Sequence, residues 1–240
     1  MNIDNIIAVV PTYNNPLTIK NVAFDIVNNG YKVIIVDDGS DIAVESLFND
    51  EEKTNIIFIK HKVNKGKGEA ITTGVSKAKS LGYSHVVSLD GDGQHLASQI
   101  KYLIETCNGD EIIIGARNFN IDNIPNGSKF GRWFSNFWAC WDTGQEITDS
   151  LSGFRIYPIS ILDLPIKTFR FDWEMEVIVR HAWAKKTIKE VAIECYYPTE
   201  QERVSHFRKF WDTMAIVWVH VQMLPIKWSK MFISLFKKSN

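Results

Sequence analysis

Asp90-Gly91-Asp92-Gly93-Gln94-His95 puts two carboxylates one residue apart, directly after the apolar run His85–Leu89. Carboxylates so spaced on a turn can share one hard cation, Mg2+ or Mn2+. The small number of protein oxygens leaves coordination positions for the oxygens of a diphosphate. Gln94 can add a carbonyl oxygen, and Gly91 and Gly93 allow the backbone to come close to a ligand. A solvated acidic turn would account for Asp-x-Asp by itself; the preceding strand and the following Gln94-His95 favour the metal.

Two further polar segments follow apolar runs. In Asp37-Asp38-Gly39-Ser40 a carboxylate can accept hydrogen bonds from a nucleobase N–H or a ribose hydroxyl. The same residues are also good turn and helix-cap chemistry, and taken alone that reading is favoured. Asn64-Lys65-Gly66-Lys67-Gly68-Glu69-Ala70 is basic and glycine-rich where a helix begins, a place suited to an anion. Its spacing matches neither a P-loop nor a dinucleotide fingerprint.

These segments need elements to position them. Apolar runs at Ile6–Val10, Lys32–Val36, Asn55–Lys60, His85–Leu89 and Glu111–Gly115 read as strands. Pro16–Asn29, Lys67–Ser80 and Ser98–Thr106 read as helices, with a poorly marked helix over Ala43–Phe48. Alternation of this kind predicts βαβ units and a mostly parallel sheet, with ligands beyond the carboxyl ends of the strands. Tyr13 and Asn14, Asp37 and Asp38, Asp90 and Asp92, and Arg117 all fall at such ends, so four strand ends point at one crevice. Beyond them, Ser128–Trp141 and Phe171–Lys185 read as helices and Thr187–Tyr197 as a strand. Asp212–Leu224 and Ile226–Phe236 read as two amphipathic helices split by Pro225.

The 240 residues suit one catalytic domain, 1–208, with a helical extension, 209–240. A net charge of −1 gives no polybasic signature of a nucleic-acid binder. Cys107, Cys140 and Cys195 are widely spaced and read as reduced thiols in the cytoplasm. No signal peptide and no spanning helix are expected. Residues 201–240 hold seven Lys/Arg against two acids, interleaved with aromatics, as a membrane-surface segment requires. Peripheral attachment at the inner face of the cell membrane is the expected location. Trp133, Phe134, Phe137, Trp138 and Trp141 recur at helical spacing and read as a core stripe, with a lipid-facing acceptor groove as the alternative. His61, His85, His181 and His220 read as structural.

Pro11-Thr12-Tyr13-Asn14, Val36-Asp37-Asp38-Gly39-Ser40, Asn64-Lys65-Gly66-Lys67-Gly68 and Leu89-Asp90-Gly91-Asp92-Gly93-Gln94-His95, with Ser152-Gly153-Phe154-Arg155 following in order, resemble family 2 glycosyltransferases of the GT-A fold. The branch resembled is that of dolichyl-phosphate mannose synthases and bacterial polyprenyl-phosphate sugar transferases. The resemblance covers about Ile6 to Arg208, and its motifs are specific jointly rather than singly. It implies that Pro11, Tyr13 and Asp38, with Asp37, hold the base and ribose, and that Lys67 and Gly68 lie beside the nucleotide. Asp90, Gly91, Asp92 and Gln94 would hold the sugar diphosphate and its Mg2+ or Mn2+, Arg117, Arg132 and Ser135 the acceptor phosphate. Arg203, assisted by His206, would close over the diphosphate. Asn15 stands where many members carry Glu, which weakens the case for an acidic nucleotide contact there.

The activity implied is inverting transfer of a hexose from a GDP- or UDP-linked donor to a membrane lipid acceptor, polyprenyl phosphate first. A phosphate acceptor arrives ionised, whereas a hydroxyl needs a base. The family's acidic position on the later helix matches Glu174, counted back from Arg180. Asp172 and Glu176, two residues to either side, point elsewhere on a helix. A hydroxyl acceptor on a glycan or lipid, with Glu174 as base, is thus the second reading. A nucleotidyltransferase would need a glycine-rich basic signature at the first strand, which Pro11-Thr12-Tyr13-Asn14-Asn15 is not. A non-catalytic nucleotide-sugar binder would not need Asp90, Asp92 and Gln94 intact.

Overall fold

A computed structural model of the chain describes residues 5–117, 126–195 and 209–237. Seven strands form one sheet: β1 (Ile6–Thr12), β2 (Val33–Asp37), β3 (Ile56–Lys60), β4 (His85–Ser88), β5 (Ile112–Arg117), β6 (Arg155–Pro158) and β7 (Ile188–Ile193). Their order is β3-β2-β1-β4-β6-β5-β7, and only β6 runs antiparallel to its neighbours. The helices are α1 (Ile19–Asn28), α2 (Lys67–Ser80), α3 (Ile100–Thr106), α4 (Asn126–Thr143), α5 (Trp173–Trp183) and α6 (Lys209–Lys237).

Strand alternation divides the core in two. Ile7, Val9, Ile34 and Val36 face one layer, with α2, α5 and the inner side of α6; Ile6, Ala8, Val10, Val33 and Ile35 face the other, with α1 and α3. A sheet covered on both faces explains why its central strands read as continuous apolar runs. From β1 the chain winds outward through β2 and β3, then returns to place β4 on the other side of β1. The reversal leaves a crevice between the carboxyl ends of β1 and β4, where open α/β sheets bind ligands.

The α/β class and the mostly parallel sheet stand as expected, and α2 begins and ends where the sequence places it. The helix expected over Ala43–Phe48 is a short 3-10 turn, Val44–Leu47. The two helices expected either side of Pro225 are one, α6. Pro225 lies on the exposed side, where the carbonyl it deprives of a partner can meet water. Its neighbours Met223 and Ile226 keep the inner face packed across the break. Tertiary packing outweighs the local penalty.

The aromatic stripe of α4 is only partly covered: Phe134 and Trp138 are half-buried, Trp138 against His220. Trp133, Phe137 and Trp141 are 62%, 50% and 53% exposed. On α6, Trp211, Met214, Trp218, Val221 and Trp228 are exposed likewise, while Ile216, Val219 and Met223 are buried. The Lys227 ammonium joins the two surfaces, 4.8 Å from the Trp141 ring centroid. No described helix is long and apolar enough to cross a membrane.

Helix α2 lies close on the sheet because Gly74 faces Val9: a Cβ there would overlap both methyls of Val9. Ala gains about 1 kcal/mol of helix propensity over Gly, but overpacking costs about 1–3 kcal/mol. Gly74→Ala is therefore expected to lower the thermal midpoint, and an unchanged or raised midpoint in a calorimetric scan would refute this account of the α2–β1 contact.

Candidate active site

Asp90 follows β4 after Leu89, and Gly91 crosses the end of β1, its carbonyl accepting the Thr18 hydroxyl at 2.6 Å. The Asp92 carboxylate accepts the Gln94 amide at 3.0 Å, and Gly93 takes a φ of 79°. The turn is thus closed from inside. Asp90 meets the Lys67 ammonium at 2.7 Å. That ammonium lies 3.0 Å from Glu174 Oε1 and 3.1 Å from Oε2. A residue from the start of α2, one from the end of β4 and one from the first turn of α5 therefore meet at one point.

Two buried charges build the frame. Asp38 accepts the amides of Lys65 at 2.9 Å and Gly66 at 2.7 Å, and contacts His61 Nδ1 at 2.7 Å. It thereby fixes the loop that delivers Lys67. Gly66 must be glycine, with φ at 105° and Phe169 O where a Cβ would lie. On the far side the Arg155 guanidinium, fully buried, donates to Ser152 O (2.7 Å), Ser150 O (2.7 Å) and Glu174 O (2.8 Å). An unpaired buried charge would be costly, and these carbonyls satisfy it. Arg155 so ties the segment Ser150–Ser152 to the turn of α5 that carries Glu174.

Electrostatics follow from this packing. Burial works against charge on Lys67 and on Asp90, but each outweighs that cost for the other. Lys67, with Glu174 as second partner, rises above its ordinary 10.5, and Asp90 is held below the usual carboxylate range. Burial, then the charge of Asp90, push Asp92 up to about 6. Burial takes His95 down to about 4, so this imidazole, tilted against the Phe154 ring, is neutral at physiological pH.

A basic region adjoins the carboxylates. Arg117 makes a two-pronged pair with buried Asp149, at 2.8 and 2.9 Å. Arg132 Nε lies 3.6 Å from the same carboxylate and donates to Thr148 O. The Ser135 hydroxyl is 3.0 Å from that of Ser150. The three residues expected at the acceptor phosphate are therefore gathered by one segment, 148–150. Asp149 was not anticipated; the signal was an acid set in Ile147-Thr148-Asp149-Ser150 beside a strand end that carries an arginine.

Several residues expected at the ligand have structural roles in the fold. Asp37 accepts the Ser40 amide at 2.8 Å and the Val44 amide at 3.1 Å, closing its own turn. Gly68 is buried against Trp173 and allows α2 and α5 to approach. Pro11 and Tyr13 lie at the end of β1. A cavity of about 310 Å3 opens there between Asn14, Asn15, Pro16, Ser40 and Asp41. Glu176 is engaged with Arg180 at 2.5 Å and with the amides of Lys167 and Thr168, pointing away from Glu174. Arg203 and His206 lie outside the described residues.

The donor set suits a hard divalent cation. Asp90 and Asp92 offer carboxylate oxygens, and the ceiling over Asp90 is Gly153, where a Cβ would fall 2.7 Å from Asp90 Oδ2. Among the described residues no three acidic, His or Cys side chains cluster at ligand spacing. Two carboxylates alone need oxygens from a ligand to complete a shell.

Residues 7–161 match the model of glycosyl transferase family 2. A UDP-N-acetylglucosamine–dolichyl-phosphate N-acetylglucosaminyltransferase of Methanococcus voltae is 33% identical over 79% of this chain and 84% of its own. An undecaprenyl-phosphate mannosyltransferase of Micrococcus luteus is 25% identical over 78% of this chain and 82% of its own. Among solved structures, glucosyl-3-phosphoglycerate synthase of Mycobacterium tuberculosis bound to UDP superposes with a TM-score of 0.71 at 15% identity, covering 91% of this chain and 79% of the other. The same enzyme with Mn2+ and UDP-glucose gives 0.68. The sheet, the crevice and the ordered motifs thus have one common explanation: the chain is a glycosyltransferase of family 2, with the GT-A fold.

Proposed function

We propose that the protein transfers a hexose, with inversion, from a GDP- or UDP-sugar to a polyprenyl phosphate at a membrane surface. The observation that carries the acceptor reading is the gathering of Arg117 and Arg132 on buried Asp149, beside Ser135. Guanidiniums held in fixed orientation suit phosphate recognition, since a guanidinium carries more N–H donors than one such partner occupies. Dolichyl- and undecaprenyl-phosphate appear in the names of the Methanococcus and Micrococcus relatives, which supports the same choice.

On the donor side Asp90 and Asp92, with Gln94, would hold Mg2+ or Mn2+, and the diphosphate would complete the shell. The cation supplies charge stabilisation for the departing nucleotide diphosphate. Lys67 adds a second positive charge, and Arg203 is assigned a third; all three act where negative charge grows as the glycosidic bond breaks. Pro11, Tyr13 and Asp38, beside the cavity at Asn14 and Ser40, are assigned to the base and ribose. Asp38 serves them in addition to anchoring its loop. The acceptor phosphate is ionised on arrival, so its attack needs no base.

Residues 1–208 act as the catalytic domain and 209–240 as an extension docked on it. The exposed aromatic faces of α4 and α6, edged by Lys227, fit the interfacial zone of a bilayer, where rings and ammonium stems are both accommodated. The protein would work as a peripheral enzyme on the cytoplasmic side.

A hydroxyl acceptor, with Glu174 as base, has one observation in its favour: that carboxylate reaches the site. Transfer assays with a short polyprenyl phosphate and a UDP- or GDP-sugar, at saturating Mn2+, separate the readings. Glu174→Gln is expected to keep kcat within about tenfold of wild type; loss of a true base costs about 100-fold or more, and a fall of that size would move the acceptor to a hydroxyl. No transfer to polyprenyl phosphate from any donor would sink the proposal. Sedimentation with vesicles containing anionic phospholipid tests the surface. The wild type is expected to be retained, and Trp133→Ser with Phe137→Ser to lose about tenfold in partitioning; equal partitioning would remove the α4 face from membrane contact.

A further inference from the structure

Lys67 is the cation that Asp90 holds in this structure. One ammonium serves two carboxylates from opposite halves of the chain, with Asp90 Oδ1 at 2.7 Å and Glu174 Oε1 at 3.0 Å. The space around it is confined on two sides. A Cβ on Gly153 would fall 2.7 Å from Nζ, and the Phe171 ring centroid is 5.8 Å away. Its side chain leaves the first residue of α2, whose start is fixed by the Gly66 amide on Asp38, so the ammonium is aimed rather than free to wander.

Without Lys67, Asp90 and Glu174 would face each other as like charges in a poorly solvated site. With it, the four groups Asp90, Asp92, Glu174 and Lys67 still sum to −2 when all are ionised, the deficit that one divalent cation would balance. The oxygen of Asp90 nearest the ammonium is already engaged, so a cation arriving at Asp90 must share that carboxylate with Lys67 or displace it.

We propose that Lys67 is a placeholder cation: it bridges Asp90 and Glu174 while no donor is bound, competes with the divalent cation for Asp90, and turns to the donor diphosphate once that cation has taken Asp90. The inference rests on the reading of Asp90 and Asp92 as the metal-holding pair. No bond is made or broken in this exchange. One salt-bridge partner replaces another, and Glu174 stays as the anchor that keeps the ammonium near. Lys67 is in this sense a positioning residue as well as a diphosphate contact.

The placeholder role predicts opposite signs for two ligands. Lys67→Met retains most of the side-chain length and removes the charge. With Mn2+ alone, followed by the electron paramagnetic resonance of the free ion, the variant is expected to bind about tenfold tighter than wild type, as loss of a nearby like charge implies. With saturating Mn2+, its affinity for UDP or GDP is expected to fall by about tenfold, because a charge-assisted phosphate contact is gone. Its metal-free thermal midpoint should drop, and Mn2+ should raise it by more than it raises that of wild type. A residue that only packs would weaken both ligands when replaced, and that result overturns the inference, as does an unchanged Mn2+ affinity. Should Lys67→Met not fold, Glu174→Gln decides: it leaves Lys67 wholly to Asp90 and must weaken Mn2+ binding, so unchanged or tighter binding refutes the exchange. A wild-type protein that binds no Mn2+, with or without nucleotide, overturns the metal reading as well. Wild-type binding with no gain in Lys67→Met overturns only the placeholder.

Discussion

Three segments far apart in the chain meet at the Lys67 ammonium, and the active site has its shape because a single positive charge must satisfy two acids there. Partial burial makes separating these charges costly. In water the three groups could separate at little cost, but in the crevice each would be left with an unbalanced charge. The start of α2, the end of β4 and the first turn of α5 are thereby held together. The glycines at 66, 68 and 153 follow from the same demand, since each lies where a Cβ would strike the ammonium, a neighbouring acid or a residue packed around them.

That centre could not hold its position without a second layer of buried charge. Asp38 gathers the loop before α2 through backbone amides, and Arg155 gathers carbonyls from the segment before β6 and from α5. Asp149 does the same for Arg117 and Arg132. Asp38 and Arg155 thus supply partners to backbone groups of the connecting segments, and Asp149 orients two guanidiniums. Polar residues that look like ligand contacts in the sequence are therefore framework in the fold, as Asp37 and Asp38 show through the backbone amides they hold. Replacing either is expected to disturb geometry beyond any direct contact it makes.

This dual character sets how much was legible beforehand. The parallel strands and α2 were readable because their periodicity and flanking glycines are local signals, and the strand ends at Asp38, Asp90 and Arg117 came with them. The return of β6 between β4 and β5 has no local signature. It depends on pairing across long loops, and with it goes the partnership of Asp149 with the arginines. Pro225 misled because a local helix penalty was set against packing that only the fold reveals. The α4 aromatics misled for the converse reason: spacing shows that side chains share a face, not whether anything covers it.

Helix α4 shows why that last distinction matters to function. Arg132 and Ser135, three residues apart, lie on the face turned to Thr148, Asp149 and Ser150; Trp133, Phe137 and Trp141, four apart, lie on the exposed one. One rigid rod therefore fixes the height of Arg132 and Ser135, the residues proposed to meet the phosphate, relative to a row of rings. If the rings lie in a bilayer's interfacial zone, the arginine is held at a set depth beside the headgroup layer. A polyprenyl phosphate could then keep its chain in the membrane while its phosphate reached Arg132. A soluble acceptor would need no such link between surface and site. The two faces of one helix thus argue for a lipid-borne phosphate more strongly than either the arginines or the tryptophans do alone.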